Sequence, residues 1–192
     1  MKKLFPILFI LICFIENAQV KTGEELITKM WNKYSGKTAA GISFVQKTKF
    51  YGNDSVIRIA TWYEHIKYPD KLRIDFDTFP SPITAIFRND SQYVVRNGKI
   101  SRAGKDKNKL LLVLGGMYFR KLPDVFERLK EAGIDVSTIK DTLYEKSACY
   151  RIGKNARSQL FIEKKTFRVK RVLIIDESGK EEMDARIEEW QK

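Results

Sequence analysis

The chain is poor in the residues that most chemistry and cross-linking require. It has one histidine, His65, and two cysteines, Cys13 and Cys149, in 192 residues. A single imidazole excludes any centre built on two, and with so few thiols a transition metal finds almost no nitrogen or sulfur ligands, so no metal and no cofactor are expected. Cys13 sits in an N-terminal apolar run; once that run is removed only Cys149 remains, no internal disulfide can close, and the fold must hold through its core. A G-x-S-x-G elbow, a phosphate-cradling P-loop and a dinucleotide fingerprint are all missing. No stretch is apolar for long enough to span a bilayer: residues 4–15, broken by Pro6 and Cys13, fall short of the roughly 20 residues needed.

What is present begins with that run. Lys2 and Lys3 precede it, the polar pair Glu16 and Asn17 follows it, and the small Ala18 completes the pattern of an export signal cut after Ala18. Cys13 is not a good lipoprotein acylation site, because Ile12 stands where a small residue is wanted. The expected organisation is a signal peptide, residues 1–18, and a single domain, residues 19–192. Loss of Lys2, Lys3 and Glu16 lowers the formal net charge from +12 to +11. An exported protein of this charge meets anionic lipid, acidic glycans or an acidic protein partner before nucleic acid, and the scattered basic residues also suit a merely solvated surface.

Along the chain the apolar period is first helical. Leu26, Ile27, Met30, Trp31 and Tyr34 predict an amphipathic helix over 24–34, with Thr22 as N-cap and Gly36 as stop. From Thr38 the period becomes two, with Ile42, Phe44, Gln46, Thr48 and Phe50 on one face and Ser43, Val45, Lys47 and Lys49 on the other. A turn at 52–54 leads to a second long strand over 56–66. Shorter strands follow at 71–76, 83–88, 91–96 and 99–102, joined by turns at Asn89-Asp90 and Asn97-Gly98, which makes an antiparallel meander. The run Leu110 to Leu114 reads as a short apolar helix ended by Gly115-Gly116, and Pro123 opens another helix that stops at Gly133. Strands are then expected at 148–152, 159–164, 167–176 and 182–190.

Few residues advertise chemistry. Asp75 and Asp77 lie two apart on a strand, at about 7 Å, a spacing a glycosidase pair could use, but the simpler reading is a solvent-facing edge among Lys71 and Arg73. His65 near a strand end reads as structural. Aromatic residues from Trp62 to Tyr93 alternate with Arg58, Lys67, Arg73 and Arg88; export argues against single-stranded nucleic acid, and the aromatics are expected on the core side of the sheet.

Phe44-Val45-Gln46-Lys47 on the first long strand, Trp62 on the second, Pro69-Asp70-Lys71-Leu72-Arg73 opening the third and Asn89-Asp90-Ser91-Gln92-Tyr93 on a later hairpin together resemble the LolA-type periplasmic lipoprotein carriers. The resemblance covers residues 22–102; beyond them only the alternation of helices and strands is similar. It implies an α+β, mainly β fold: a curved antiparallel sheet forming an incomplete barrel covered by helices. It also implies a non-catalytic protein that shelters the acyl chains of a lipoprotein, or another lipid, in transit to the outer membrane. On this reading Ile42, Phe44, Trp62, Leu72, Ile74 and Phe76, or their opposite-face neighbours, line the lipid cavity, and Leu111, Leu112, Leu114, Met117 and Phe119 form its lid. The family carries a basic residue just before the equivalent proline as a lid latch. This chain has Tyr68 there and Lys67 one step earlier, which leaves Lys67, Tyr68 and, further back on the second long strand, Arg58 as latch candidates.

Three functions compete. The first is a periplasmic carrier of acylated molecules with peripheral membrane contact. The second is an exported scaffold or sensor that binds an envelope protein partner. The third is a secreted hydrolase using Asp75 and Asp77.

Overall fold

A computed structural model describes residues 20–52, 55–106, 108–176 and 178–187. The expected signal peptide and its cleavage point, the tip of the first hairpin at 53–54 and the end of the last strand at 188–190 lie outside the described residues.

The first helix, α1 (Gly23–Tyr34), forms where the period called for it. Thr22 Oγ1 accepts a hydrogen bond from the Glu25 amide at 3.1 Å, satisfying a donor that the first turn otherwise leaves free. Leu26, Ile27 and Met30 share one stripe and are fully buried. Gly36 ends the segment at φ 73°, a left-handed conformation that glycine adopts without a Cβ penalty.

Six strands then run as an antiparallel meander: β1 (Gly41–Gly52), β2 (Ser55–Lys67), β3 (Lys71–Phe76), β4 (Ile83–Arg88), β5 (Ser91–Arg96) and β6 (Lys99–Lys105). Two of the hairpins turn on residue pairs with positive φ, Asn89-Asp90 and Asn97-Gly98, whose backbone twist matches that of the strands. A helical segment follows: α2 (Leu110–Val113), a 3-10 turn (Gly116–Phe119) and α3 (Leu122–Glu131). A second antiparallel meander completes the described chain: β7 (Ile139–Tyr144), β8 (Ser147–Ile152), β9 (Gln159–Glu163), β10 (Val169–Ile175) and β11 (Glu181–Arg186).

The expected strands are present, with one addition. β7 is absent from the sequence reading because its hairpin with β8 turns on Glu145 and Lys146, both with positive φ and neither a turn-former by composition. The strands form two sheets, and among the described residues no ladder joins them or closes either into a barrel. The architecture is therefore an open, helix-covered antiparallel fold.

The larger core belongs to the second sheet. Ile152, Leu160, Ile162, Val172 and Ile174 pack with Leu26, Ile27 and Met30 of α1, Val125 and Leu129 of α3, and Val113 and Met117. Each such aliphatic side chain, fully withdrawn from water, contributes about 1.5–3 kcal/mol. The first sheet has a smaller cluster of Leu72, Ile74, Ala85 and Leu111, edged by half-buried aromatics. One sheet anchors the helices, and the other has an apolar face that is only partly covered.

Candidate functional site

Directly paired residues of an antiparallel ladder point to the same side of the sheet. Three rows across the first sheet follow from its register. Ile42 lies opposite Ile66, which pairs with Leu72 and so with Phe87. Phe44, Glu64, Ile74, Ala85 and Val94 form the second row, and Gln46, Trp62 and Phe76 the third. All six residues expected to line a cavity therefore share one face, the inner one. Ile66, Ala85, Phe87 and Val94 belong with them and were not singled out from sequence, although the same period of two runs through their strands.

The cover on this face is uneven. Leu72, Ile74 and Ala85 are buried beneath Leu111, whereas Ile42 and Phe44 on the edge strand are 41% and 38% exposed. Trp62 packs edge-on against Phe76 at 5.4 Å. Glu64 is the one acid on the strands of this face; the residue is only 7% exposed, but its carboxyl oxygens are not among the side-chain atoms sealed from solvent without a partner. Burial raises its pKa above the ordinary glutamate value.

The expected lid divides between the two sheets. Leu111 reaches the first sheet, and the Phe119 ring stacks on Tyr68 at 5.1 Å and 8°. Met117 and Leu112 instead face the core of the second sheet: Leu112 stands about 100° round α2 from Leu111, and Met117 lies in the 3-10 turn that follows Gly115. Leu114 is half-buried and belongs to neither cluster.

Of the three latch candidates, Tyr68 touches the helical segment. Besides the Phe119 stack, its ring lies where a side chain at Gly115 would be, 2.6 Å from a Cβ built there. Arg58 turns to Asp77 of its own sheet at 3.2 Å, and Lys67 is exposed. Two ion pairs that sequence did not suggest add to the Tyr68 contact: Arg120 with Asp70 at 3.6 Å and Arg128 with Asp90 at 2.9 Å, both joining the helical segment to turns of the first sheet. These four residues lie far apart in sequence, and no local pattern announces their pairing. They border a cleft of about 590 Å³ beside α2, whose walls intersperse acids and bases with Leu111, Leu112 and Ala132.

The two aspartates do not form a catalytic pair. Asp75 is not a solvent-facing residue: it is fully buried on the outer face, held by Arg73 at 2.6 and 2.8 Å, the Ser81 amide and the Thr84 hydroxyl. Asp77 has left the strand at φ 64° and accepts from Arg58 and from the Thr61 amide. Each carboxylate is committed to structural partners. Among the described residues no group of three or more His, Cys, Asp or Glu could hold a metal ion, and no helix is long and apolar enough to cross a membrane.

An open antiparallel sheet with an apolar inner face and a helical cover is a LolA-like fold, and one solved structure supports it. A LolA superfamily protein from Nitrosomonas europaea superposes with a TM-score of 0.51 at 7% identity, over 90% of this chain and 80% of that one. A DUF1329 family protein from Desulfovibrio piger gives 0.48 at 14% identity, over 83% and 74%. The CwlD amidase of Clostridioides difficile in complex with the GerS lipoprotein gives 0.33 at 10%, over 91% and 98%. No family model and no curated protein matches the sequence.

Proposed function

We propose that this chain is an exported, non-catalytic periplasmic carrier that binds the acyl chains of lipoproteins or other lipids on the inner face of its first sheet and takes part in outer-membrane lipoprotein sorting. The observation that carries this reading is the partly open apolar face: Ile42, Phe44, Trp62, Leu72, Ile74 and Phe76 in three paired rows, covered at one side by Leu111 and bare at the other. Each methylene that such a face removes from water contributes about 0.8 kcal/mol, so one acyl chain binds well without a specific polar contact. Mass spectrometry of protein isolated gently from the envelope should detect copurified lipid or lipoprotein, and Phe44→Asp should abolish it. Protein that is consistently empty, and that fails to displace a fluorescent fatty acyl probe, would end this reading.

We infer also that the free end of the β1–β2 hairpin makes the peripheral membrane contact a carrier needs. β3 pairs with β2 only from Trp62 to Lys67, so the hairpin projects beyond it as a two-stranded ribbon. Ile57 and Ile59 are exposed on one side of it, together with Lys47 and Lys49, and Phe50 and Val56 on the other. A bilayer surrounds such a ribbon on both sides, and its anionic lipids complement the lysines.

The alternative is an exported scaffold with a protein partner. It is favoured by the outer face, where Val45, Ile59 and Ile100 are exposed next to basic residues. A salt-sensitive, one-to-one pull-down that survives Leu111→Asp would select it.

A further inference from the structure

The inner face has one feature that acyl-chain burial alone does not call for. Glu64 lies at the middle of the Phe44–Glu64–Ile74 row, flanked on its own strand by Trp62 and Ile66. A valine or leucine there would suit an apolar surface better, since a carboxyl loses hydration when it is drawn toward such a surface. No charged group lies beside it in its row, which continues through Ile74, Ala85 and Val94 and reaches a charge only at Arg102 on β6, four strands away. From β1 the same side presents Ile42, Phe44 and Gln46, from β3 Leu72, Ile74 and Phe76, from β4 Ala85 and Phe87, and from α2 Leu111. On β2 itself the charged residue of this face is Arg58, six positions back and paired with Asp77; Tyr68, just beyond the strand, is stacked on Phe119.

We propose that Glu64 is the polar anchor of this face, its carboxyl O–H donating a hydrogen bond to the ester or amide carbonyl of an acyl ligand, so that the site selects acyl lipids over ether-linked ones. The inference rests on the lipid-binding reading and adds to it the linkage chemistry. Its direction agrees with the environment: burial shifts Glu64 toward the neutral acid, and a neutral acid is a donor that a carbonyl can meet. An ammonium ligand would require the ionised form instead, and the two chemistries therefore have opposite pH dependence.

Two probes with the same chain and head group separate the outcomes: 1-palmitoyl glycerol, which has an ester carbonyl, and 1-hexadecyl glycerol, which has an ether in its place. Titrated into wild-type protein at pH 4.5, the ester should bind about tenfold more tightly than the ether, the scale of one buried hydrogen bond. That preference should shrink by pH 8.5. Glu64→Gln keeps a donor, so it should retain the preference and lose its pH dependence; Glu64→Leu should bind both probes equally and no more weakly than wild type binds the ether. Equal affinity of wild type for both probes overturns the anchor while leaving lipid binding intact. Preferential binding of hexadecylamine, strengthening as the pH rises, overturns it in favour of a cation site. Failure of both glycerol lipids to bind removes the underlying carrier reading, and the anchor with it.

Discussion

Asp75 has no exposed surface and is nevertheless ionised, because the Arg73 guanidinium, helped by the Ser81 amide and the Thr84 hydroxyl, holds its carboxyl below the usual aspartate range. The unfolded chain therefore binds this proton more readily than the folded one. The stabilisation is complete above the unfolded pKa, about 3.9, and is lost as the pH falls through the lower folded value. Asp75→Asn should cost about 2 kcal/mol in urea denaturation at neutral pH, the scale of hydrogen bonds to a charged group. The gap between the two proteins should close below about pH 4; a gap that stays constant down to pH 2 would assign the effect to packing. The alternation of β3 correctly turns Asp75 away from Leu72, Ile74 and Phe76. Exposure was the part that alternation does not encode, because the chain after Phe76 folds back, with the Ser81 hydroxyl bonded to the Phe76 carbonyl, and covers the aspartate from a distance in sequence. At the other end of the fold, Thr22→Ala removes the cap of α1 and should lower stability by about 1 kcal/mol, read from thermal melting.

Elements were legible where a repeating period or a turn residue marked them. α1 declares itself by the spacing of Leu26, Ile27 and Met30, and the first meander by its alternation and its Asn-Asp and Asn-Gly turns. β7 does not, since Glu145 and Lys146 adopt a turn that their side chains do not favour and β7 is an edge strand with Leu143 outward. The six inner-face residues came from the same alternation, whereas the contacts that hold the helical segment depend on tertiary partners. The Tyr68–Phe119 stack is the plainest of these. Gly115 allows it, because a Cβ there would stand 2.6 Å from the end of the Tyr68 ring. Gly115→Ala and Tyr68→Ala should therefore both loosen the segment 110–119 from the first sheet, seen as faster amide hydrogen exchange across it. Tyr68→Phe, which keeps the ring, should leave exchange unchanged. Uniform acceleration across both sheets would instead assign the stack to global stability.

At the scale of the molecule, two properties act together: a net charge of +12 over the full sequence and a hairpin that projects past its own sheet. A two-stranded ribbon is marginal in water without a third strand or a packed layer, and this one exposes aliphatic side chains on both faces, with Ile57 70% exposed. A folded protein partner covers one face of a ribbon; an interface that surrounds it covers both. Each lysine near an anionic bilayer adds about 1 kcal/mol of attraction, so Lys47→Glu with Lys49→Glu should weaken sedimentation with phosphatidylglycerol vesicles by at least tenfold at low salt. Ile57→Asp should weaken it at every salt concentration, because it removes apolar insertion and not charge. Phe44→Asp, on the inner face, should bind vesicles like wild type while failing to take up an acyl probe, which separates membrane docking from ligand capture. If the two lysine changes leave sedimentation unaltered and only the charge of the rest of the chain matters, the hairpin is not the contact and the basic surface binds lipid diffusely.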